Sequence, residues 1–230
     1  KLRPPREQAP ELYQETPIGW VPKEWKVFTL SELADQSHGS TTIGPFGSDL
    51  VASDYRSEGI PIVFVRDIKE TGFEWNSDVY VSVQKSNKLH AHRVKSGDVL
   101  STKMGLSPCI SCEYPNWMPD GVITADIVRL RPDTKKIKVM WLCEAINHDR
   151  VKRQVAGITA GVTRPKITLA EYRKVRISVP GMAEQNVISD MVLQTNKLFN
   201  AEKGRKSKLE KQKQGLMQDL LTGKVRVNVN

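Results

Sequence analysis

Apolar and polar positions alternate in short runs through the first 180 residues, the pattern of partly buried β-strands. Such runs cover 60–66, 79–83 and 99–104, and a further run over 122–130 predicts one long strand that is stopped by Pro132. A last alternating run, 175–179, predicts a strand that ends at Pro180. These patterns predict a β-rich core.

Helical signals interrupt the strands at three places. Thr29 and Glu32 have the spacing of a capping box, as have Thr168 and Glu171, and each pair predicts a short helix. Apolar residues at 139, 142, 143 and 146 fall on one helical face, which predicts a helix running to about residue 155. The whole pattern is typical of an α+β fold.

The hydrophobic pattern changes after Gly181. Residues 183–221 contain no proline, and a continuous helix of that length is about 58 Å long. Alternating steps of three and four residues trace a coiled-coil seam with a polar middle, formed by Ile188, Met191, Thr195, Leu198, Leu209 and Leu216. A lone helix cannot bury such a stripe, so the seam predicts a partner helix. The alternative is a helix that folds back on its own domain or breaks at Gly204.

Charge and composition narrow the class of protein. The formal net charge is +9, which indicates either general solubility or a polyanionic partner such as nucleic acid. No apolar run approaches the roughly 20 residues that span a bilayer, and the polar, proline-rich N-terminus is unlike a secretory signal. Three cysteines, an odd number, fit a reducing cytoplasm better than a disulfide framework.

Several short motifs, in this order and spacing, resemble one half of a Type I restriction-modification specificity subunit. Each motif is weak alone, but together they extend from residue 17 to residue 227. They are Pro22-Lys23-Glu24-Trp25, Gly44-Pro45-Phe46-Gly47-Ser48, Gly59-Ile60-Pro61-Ile62, Gly97-Asp98-Val99-Leu100, Gly161-Val162-Thr163-Arg164-Pro165-Lys166, the junction from Val175 through Glu184-Gln185 to Ile188, and Leu220-Leu221-Thr222-Gly223-Lys224. Gly181-Met182-Ala183 departs from the family, which usually has a second proline and a leucine there.

The resemblance implies a leader over 1–16, a target-recognition domain over 17–182, a spacer and dimerisation helix over 183–221 and a tail over 222–230. It also implies that the helix pairs as an antiparallel coiled coil, either in a homodimer or with a second half of the same subunit. The expected partners are double-stranded DNA, the methyltransferase subunits and the restriction subunit. The chain itself is expected to be a cytoplasmic recognition subunit without catalytic residues, metal or cofactor, since no methyltransferase or P-loop motif is present.

Polar and basic residues on glycine-rich loops are the candidates for reading DNA, because base readout needs donors and acceptors that can enter a groove. They are Ser40, Thr41, Thr42, Ser48, Arg66, Lys103, Ser107, Thr159, Thr163, Arg164 and Lys166. Each could instead be an ordinary turn residue or an exposed charge.

Three other functions remain open from the sequence. Asp67-Ile68-Lys69, with Asp49 or Asp54 upstream, matches the metal-site pattern of a magnesium-dependent nuclease. His90, His92, Cys109 and Cys112 could form a zinc site, although two cysteines at this spacing on one strand would point to opposite faces. The basic stretch 202–213 could belong to a dimeric adaptor that binds protein or RNA.

Overall fold

The computed structural model describes residues 3–105, 108–159 and 165–226. The helices are α1 (Leu30–Leu33), α2 (Val83–Lys88), α3 (Val139–Asn147), α4 (Asp149–Ile158), α5 (Leu169–Lys174) and α6 (Met182–Leu221). The strands are β1 (Tyr13–Gln14), β2 (Val21–Pro22), β3 (Lys26–Thr29), β4 (Thr41–Ile43), β5 (Tyr55–Arg56), β6 (Ile60–Val63), β7 (Ile68–Lys69), β8 (Gly72–Phe73), β9 (Tyr80–Val81), β10 (Arg93–Val94), β11 (Val99–Thr102), β12 (Ser111–Glu113), β13 (Gly121–Ile123), β14 (Ile127–Leu130) and β15 (Arg176–Val179). The chain divides into two compact units, Lys1–Asn186 and Val187–Asn230.

A four-stranded antiparallel sheet, in the order β12-β11-β14-β4, is the centre of the first unit. Both of its faces are buried against apolar clusters: Val99 belongs to one buried cluster and its neighbour Leu100 to another. Successive side chains of a strand point to opposite faces, so this sheet is covered on both sides.

Helices α1, α3, α4 and α5 cover the first face. Their apolar side chains, including Leu33, Leu142 and Val155, share one core with Val128 of β14. Inside this region the Ser101 hydroxyl is hydrogen-bonded to the hydroxyls of Ser111 (2.6 Å) and Tyr172 (2.8 Å), which satisfies these buried polar groups.

A five-stranded mixed sheet, in the order β10-β13-β6-β9-β5, covers the second face. Its β13 and β6 are parallel, and their Ile123 and Val63 pack in the same core as Leu100 and Ile127 of the central sheet. The first unit is therefore layered as helices, sheet and second sheet, and the predicted α+β fold with a β-rich core is confirmed.

The two predicted capping boxes are confirmed. Thr29 caps α1 and Thr168 caps α5, and in each the glutamate three residues later accepts a hydrogen bond from the capping residue's backbone N–H. These reciprocal bonds begin a helix without any tertiary contact, which is why so local a signal succeeded.

Three predicted elements are corrected. Residues 122–130 are not one strand: they turn at Thr124, and β13 and β14 on either side belong to different sheets. The strand predicted over 79–83 is limited to β9, since Ser82 caps α2. The helix predicted from 139 to about 155 is two helices, because His148 has extended backbone and caps α4.

The long C-terminal helix is confirmed as one continuous element, α6, which passes through Gly204 and Gly215 without a break. At its start, within the first unit, Gln185 is fully buried. Its amide accepts from the Lys138 N–H (2.9 Å) and donates to the carbonyls of Pro180 (2.9 Å) and Lys136 (3.2 Å). Among the described residues, no helix has the length and apolarity needed to cross a bilayer.

Candidate nucleic-acid interface

Three chain segments that are distant in sequence meet at one edge of the first unit. Gly44 is packed so tightly on the Thr124 turn that a Cβ atom there would lie 2.1 Å from the Thr124 carbonyl oxygen. The Lys103 N–H donates to the Asp126 carbonyl (2.7 Å) from the other side. The turn that replaces the predicted long strand therefore anchors the loops around it.

The loop that follows Gly44, the segment 55–66 and the turn 124–126 form a groove of about 470 Å³, which we name the loop groove. Its floor is Thr124, Ala125 and Asp126. Its walls are formed by Pro45, Gly47, Leu50, Tyr55, Phe64, Val65 and Arg66. The groove is open and has both polar and apolar surface, as expected of a site for a large ligand rather than for a small molecule.

Arg66 supplies a cation on the wall of the groove. Its guanidinium lies 4.5 Å from the centre of the Phe64 ring, and its Nε donates to the Ser77 hydroxyl (2.9 Å). Among the described residues that is the one hydrogen bond of its side chain, so the terminal nitrogens are available for a ligand. A guanidinium held in this way can bind a base edge or a phosphate.

Lys103 is almost fully buried at the groove's edge, only 3% exposed. Its ammonium lies 4.7 Å from the centre of the Phe46 ring and 3.4 Å from the Ala125 carbonyl. Burial, and then the nearby charge of Lys166, lower the pKa of Lys103, whereas Asp126 opposes this change. The ammonium thus lies beneath an aromatic ring and not at the outer surface.

The other residues predicted to contact DNA differ in how far they are buried. Ser48 and Lys166 are exposed, and Lys166 adjoins the Lys103 strand through a β-bridge to Met104. Ser40 and Thr42 are half-buried, whereas Thr41 and Thr159 are buried. The Thr159 hydroxyl donates to the Val155 carbonyl at the C-terminal end of helix α4. Ser107, Thr163 and Arg164 lie outside the described residues.

Sequence reasoning missed Phe46 and the Thr124–Asp126 floor. Phe46 is 54% exposed although it is a large apolar side chain. The signal that could have predicted this exposure is the pattern Gly44-Pro45-Phe46-Gly47. Glycine and proline predict a turn, and turns lie at the surface, so an aromatic residue within one is a candidate for exposure. The floor gave no comparable signal, because the run 122–130 is apolar enough to pass for a single strand.

The residues of the nuclease hypothesis serve the fold. Asp67 is fully buried, and its carboxylate accepts from the backbone N–H groups of Phe64 (2.9 Å) and Asn76 (3.1 Å) and from the Ser77 hydroxyl (2.6 and 2.7 Å). Asp54 pairs with Lys85 at 2.8 Å. Because Asp67 is buried and both of its carboxylate oxygens accept hydrogen bonds from the protein, this carboxylate is not presented to a metal ion at the surface.

The cysteines of the zinc hypothesis are buried in separate cores. Cys109 packs with the helices on one face of the central sheet and Cys112 packs on the other face. Only Cys112 is in a strand; Cys109 precedes it with a φ of 69°. Within the described residues, no group of three or more His, Cys, Asp or Glu side chains is arranged to hold a metal ion.

A second cavity, of about 320 Å³, lies elsewhere in the first unit. Its walls include Trp25, Trp141 and Ile177, with Arg150 and Arg176 also lining it. The two tryptophan rings meet edge to face at 5.2 Å. This cavity is smaller and more apolar than the loop groove, so the loop groove is the better candidate for a polyanion.

The second unit carries an apolar stripe along α6. Met191, Leu198, Leu209 and Leu216 are each more than half exposed, Thr195 is exposed and Ile188 is half-buried. Ion pairs such as Arg205 with Glu202 (3.9 Å) occupy the polar middle of the predicted seam. Such exposure of large apolar side chains is typical of a surface that binds a partner.

Together these features define a class of protein: an α+β domain with a cation-bearing loop groove, continued by a long helix with an exposed apolar stripe. The chain belongs to the family described as the Type I restriction modification DNA specificity domain, whose model matches residues 22–211.

Individual relatives agree with this assignment. The Type I restriction enzyme MjaVIII specificity subunit of Methanocaldococcus jannaschii is 21% identical over 95% of this chain and 50% of its own length. A chain of a solved type I R-M system is 18% identical with a TM-score of 0.60, and it matches 93% of this chain and 50% of that chain. The HsdS subunit from Thermoanaerobacter tengcongensis is 18% identical with a TM-score of 0.57, over 91% of this chain and 47% of that chain. The structures support the fold, and this chain spans about half the length of the relatives that it matches.

Proposed function

We propose that this chain reads one part of a bipartite DNA target for a Type I restriction-modification system. The observation that carries the proposal is the loop groove, which Arg66 lines. Lys103 lies close to it, against Phe46 and the Ala125 carbonyl, and the β-bridge from Lys166 to Met104 adds a third cation near Lys103. Family membership supplies the biological setting, and the net charge of +9 favours a polyanionic ligand.

The proposed division of roles follows from exposure. The Arg66 guanidinium and the Ser48 hydroxyl are able to donate to base edges, while Lys166 binds phosphate. We keep Ser40 and Thr42, just before and within β4, as proposed DNA contacts on sequence grounds, and we propose that the buried Thr41 and Thr159 support the chain segments that follow them. We retain Ser107, Thr163 and Arg164 as proposed contacts on sequence grounds alone.

The long helix is proposed to pair with a second helix as an antiparallel coiled coil. The pairing buries the exposed stripe of Met191, Leu198, Leu209 and Leu216, either in a homodimer or against a second half of one subunit. Methyltransferase and restriction subunits would dock on this assembly in the cytoplasm and perform the methylation and cleavage, so the chain itself acts as a recognition subunit and not as an enzyme.

DNA selection tests the reading role. The purified chain is incubated with random duplexes at about 150 mM salt, which suppresses binding by phosphate contacts alone. We expect a short motif, which is lost in Arg66→Ala while self-association is unchanged. Retention of duplexes without any motif, both alone and with the methyltransferase subunit present, would refute the proposal and favour a basic adaptor.

Charge substitution in the stripe tests the helix pairing. Leu209→Glu places a carboxylate on the seam, and the matched control Gln214→Glu adds the same charge on the opposite helical face. We expect sedimentation to show a smaller assembly for Leu209→Glu only. Equal masses for both variants and the unaltered chain would show that the seam is not the contact.

A further inference from the structure

Phe46 combines exposure with a cation beneath its ring. The ring is 54% exposed, and the Lys103 ammonium lies 4.7 Å from its centre. Its neighbours Pro45 and Gly47 both line the loop groove. What distinguishes this ring from other exposed apolar side chains is its place beside the groove that the proposed function assigns to DNA, with a cation on one face and the rest of the ring open to a ligand.

The backbone around Phe46 fixes where the ring lies. Gly44 is packed against the Thr124 carbonyl, and Gly47 has a φ of 56°, which favours glycine. The Phe46 carbonyl accepts a hydrogen bond from the Asp49 N–H at 3.1 Å, which closes the turn. The ring is therefore held outward before any ligand binds, which lowers the entropy cost of using it in recognition.

The surroundings of the ring identify the ligand's chemistry. Arg66 lines the groove together with Pro45 and Gly47, and the charge of Lys166 acts on Lys103 beneath the ring. Both cations attract phosphates, so the ligand expected at the ring is the flat apolar face of a nucleobase. We propose that Phe46 stacks its free ring face on a base at an opened step of the DNA target, with Lys103 as a positioning residue that holds the ring from beneath. This inference rests on the proposed function and adds the means by which the chain deforms its target.

The experiment uses the full chain and the duplex that it selects. Affinities are measured over a range of salt for Phe46→Ala, Phe46→Leu and Phe46→Trp, and for the control Trp117→Ala. Trp117 is also exposed (61%), but it packs on Phe73, away from the residues that line the groove. In parallel, 2-aminopurine is placed at each adenine position, because its fluorescence rises when it loses stacking with neighbouring bases.

We expect Phe46→Ala to bind about tenfold more weakly, the usual loss for one base–aromatic stack. The slope of log affinity against log salt should not change, because the ring has no charge, whereas Lys166→Ala should reduce that slope by about 1. Phe46→Trp should retain affinity and Phe46→Leu should not. One 2-aminopurine position should brighten with the unaltered chain and stay dark with Phe46→Ala.

Two results would overturn the stacking. Phe46→Ala could bind like Trp117→Ala, or Phe46→Leu could bind like the unaltered chain, which would reduce the ring to a general apolar contact. If in either case Arg66→Ala and Lys166→Ala still weaken binding, only this inference fails. If those two variants also bind normally, the loop groove is not the DNA site and the site assignment fails with the inference, whereas the proposed reading function itself fails only if no motif is selected.

Discussion

Gly44 lies so close to the Thr124 turn that we expect a methyl group added at this position to destabilise the protein. In Gly44→Ala, the new methyl carbon would lie 2.1 Å from the Thr124 carbonyl oxygen and 2.6 Å from that of Ile123. Ordinary contact begins near 3.4 Å, so the two backbone segments must separate by about 1.3 Å. Neither neighbour is a side chain that can rotate away.

The loss of stability in Gly44→Ala comes from the hydrogen bonds that lengthen when the two backbone segments move apart. The Gly44 N–H donates to the Ile127 carbonyl (3.3 Å), and Lys103 and Asp126 are bonded through the same turn. We expect the free energy of unfolding to fall by about 3 kcal/mol, the upper end for overpacking in a tight site. With a dependence on urea of about 2 kcal/mol per molar, the unfolding midpoint should fall by about 1.5 M.

Gly47→Ala is the matched control, because Gly47 is in the same loop but has nothing within 4 Å of its added Cβ. Its φ of 56° should cost about 1 kcal/mol through backbone strain alone. Urea unfolding followed by tryptophan fluorescence compares the two variants. Equal midpoints would refute the proposed contact between the loop and the turn, and with it the anchoring of the loop groove.

Two further predictions concern buried polar groups. Gln185→Ala removes the three hydrogen bonds of a fully buried amide, so it should lower the free energy of unfolding by about 2–3 kcal/mol. The control Asn186→Ala changes an exposed neighbour and should cost less than about 0.5 kcal/mol. Urea titration measures both variants, and equal losses would contradict the role of Gln185. Lys103→Met keeps the apolar stem without the charge. Since burial lowers the pKa of Lys103, the folded state disfavours its protonated form, so at neutral pH the variant should be equally stable or more stable by up to about 1 kcal/mol. This penalty is complete below the lowered pKa and disappears as the pH rises towards the ordinary value of 10.5, so the gain should shrink between neutral pH and about pH 10. A variant less stable by more than about 1 kcal/mol at neutral pH would show that the ammonium's contacts with Phe46 and Ala125 outweigh its burial.

Local sequence signals were sufficient to predict the elements whose hydrogen bonds or periodic pattern involve residues only a few positions apart. The capping boxes at Thr29 and Thr168 place donor and acceptor within one turn, and the seam from Ile188 to Leu216 repeats over a segment without proline. Strand 175–179 was found for the same reason, since its alternation reflects one buried face. Each of these elements depends on contacts three or four residues apart, or on a period of two.

The candidate site was less accessible to sequence reasoning. Arg66, Ser48 and Lys166 are predicted as DNA contacts from their residue type and loop setting. The structure has Arg66 on the loop groove, Ser48 between the lining residues Gly47 and Leu50, and Lys166 paired with Met104, next to Lys103. Phe46 was passed over because an aromatic residue is usually a core residue, and exposure is a property of the folded surface. The nuclease pattern at Asp67 illustrates the reverse case, since only the hydrogen bonds from three donors, Phe64, Asn76 and Ser77, show that the carboxylate serves the fold.

By itself the sequence determined the α+β class, the starts of α1 and α5, the long helix with its apolar stripe and the basic charge, because these depend on composition and on short-range periodicity. Only the tertiary structure decided that 122–130 divides between two sheets. The break at Thr124 results from the packing of Gly44, 80 residues earlier in the chain, and apolar residues on both sides of the turn give no local sign of it. The floor of the loop groove and the burial of Lys103 beneath Phe46 follow from that packing.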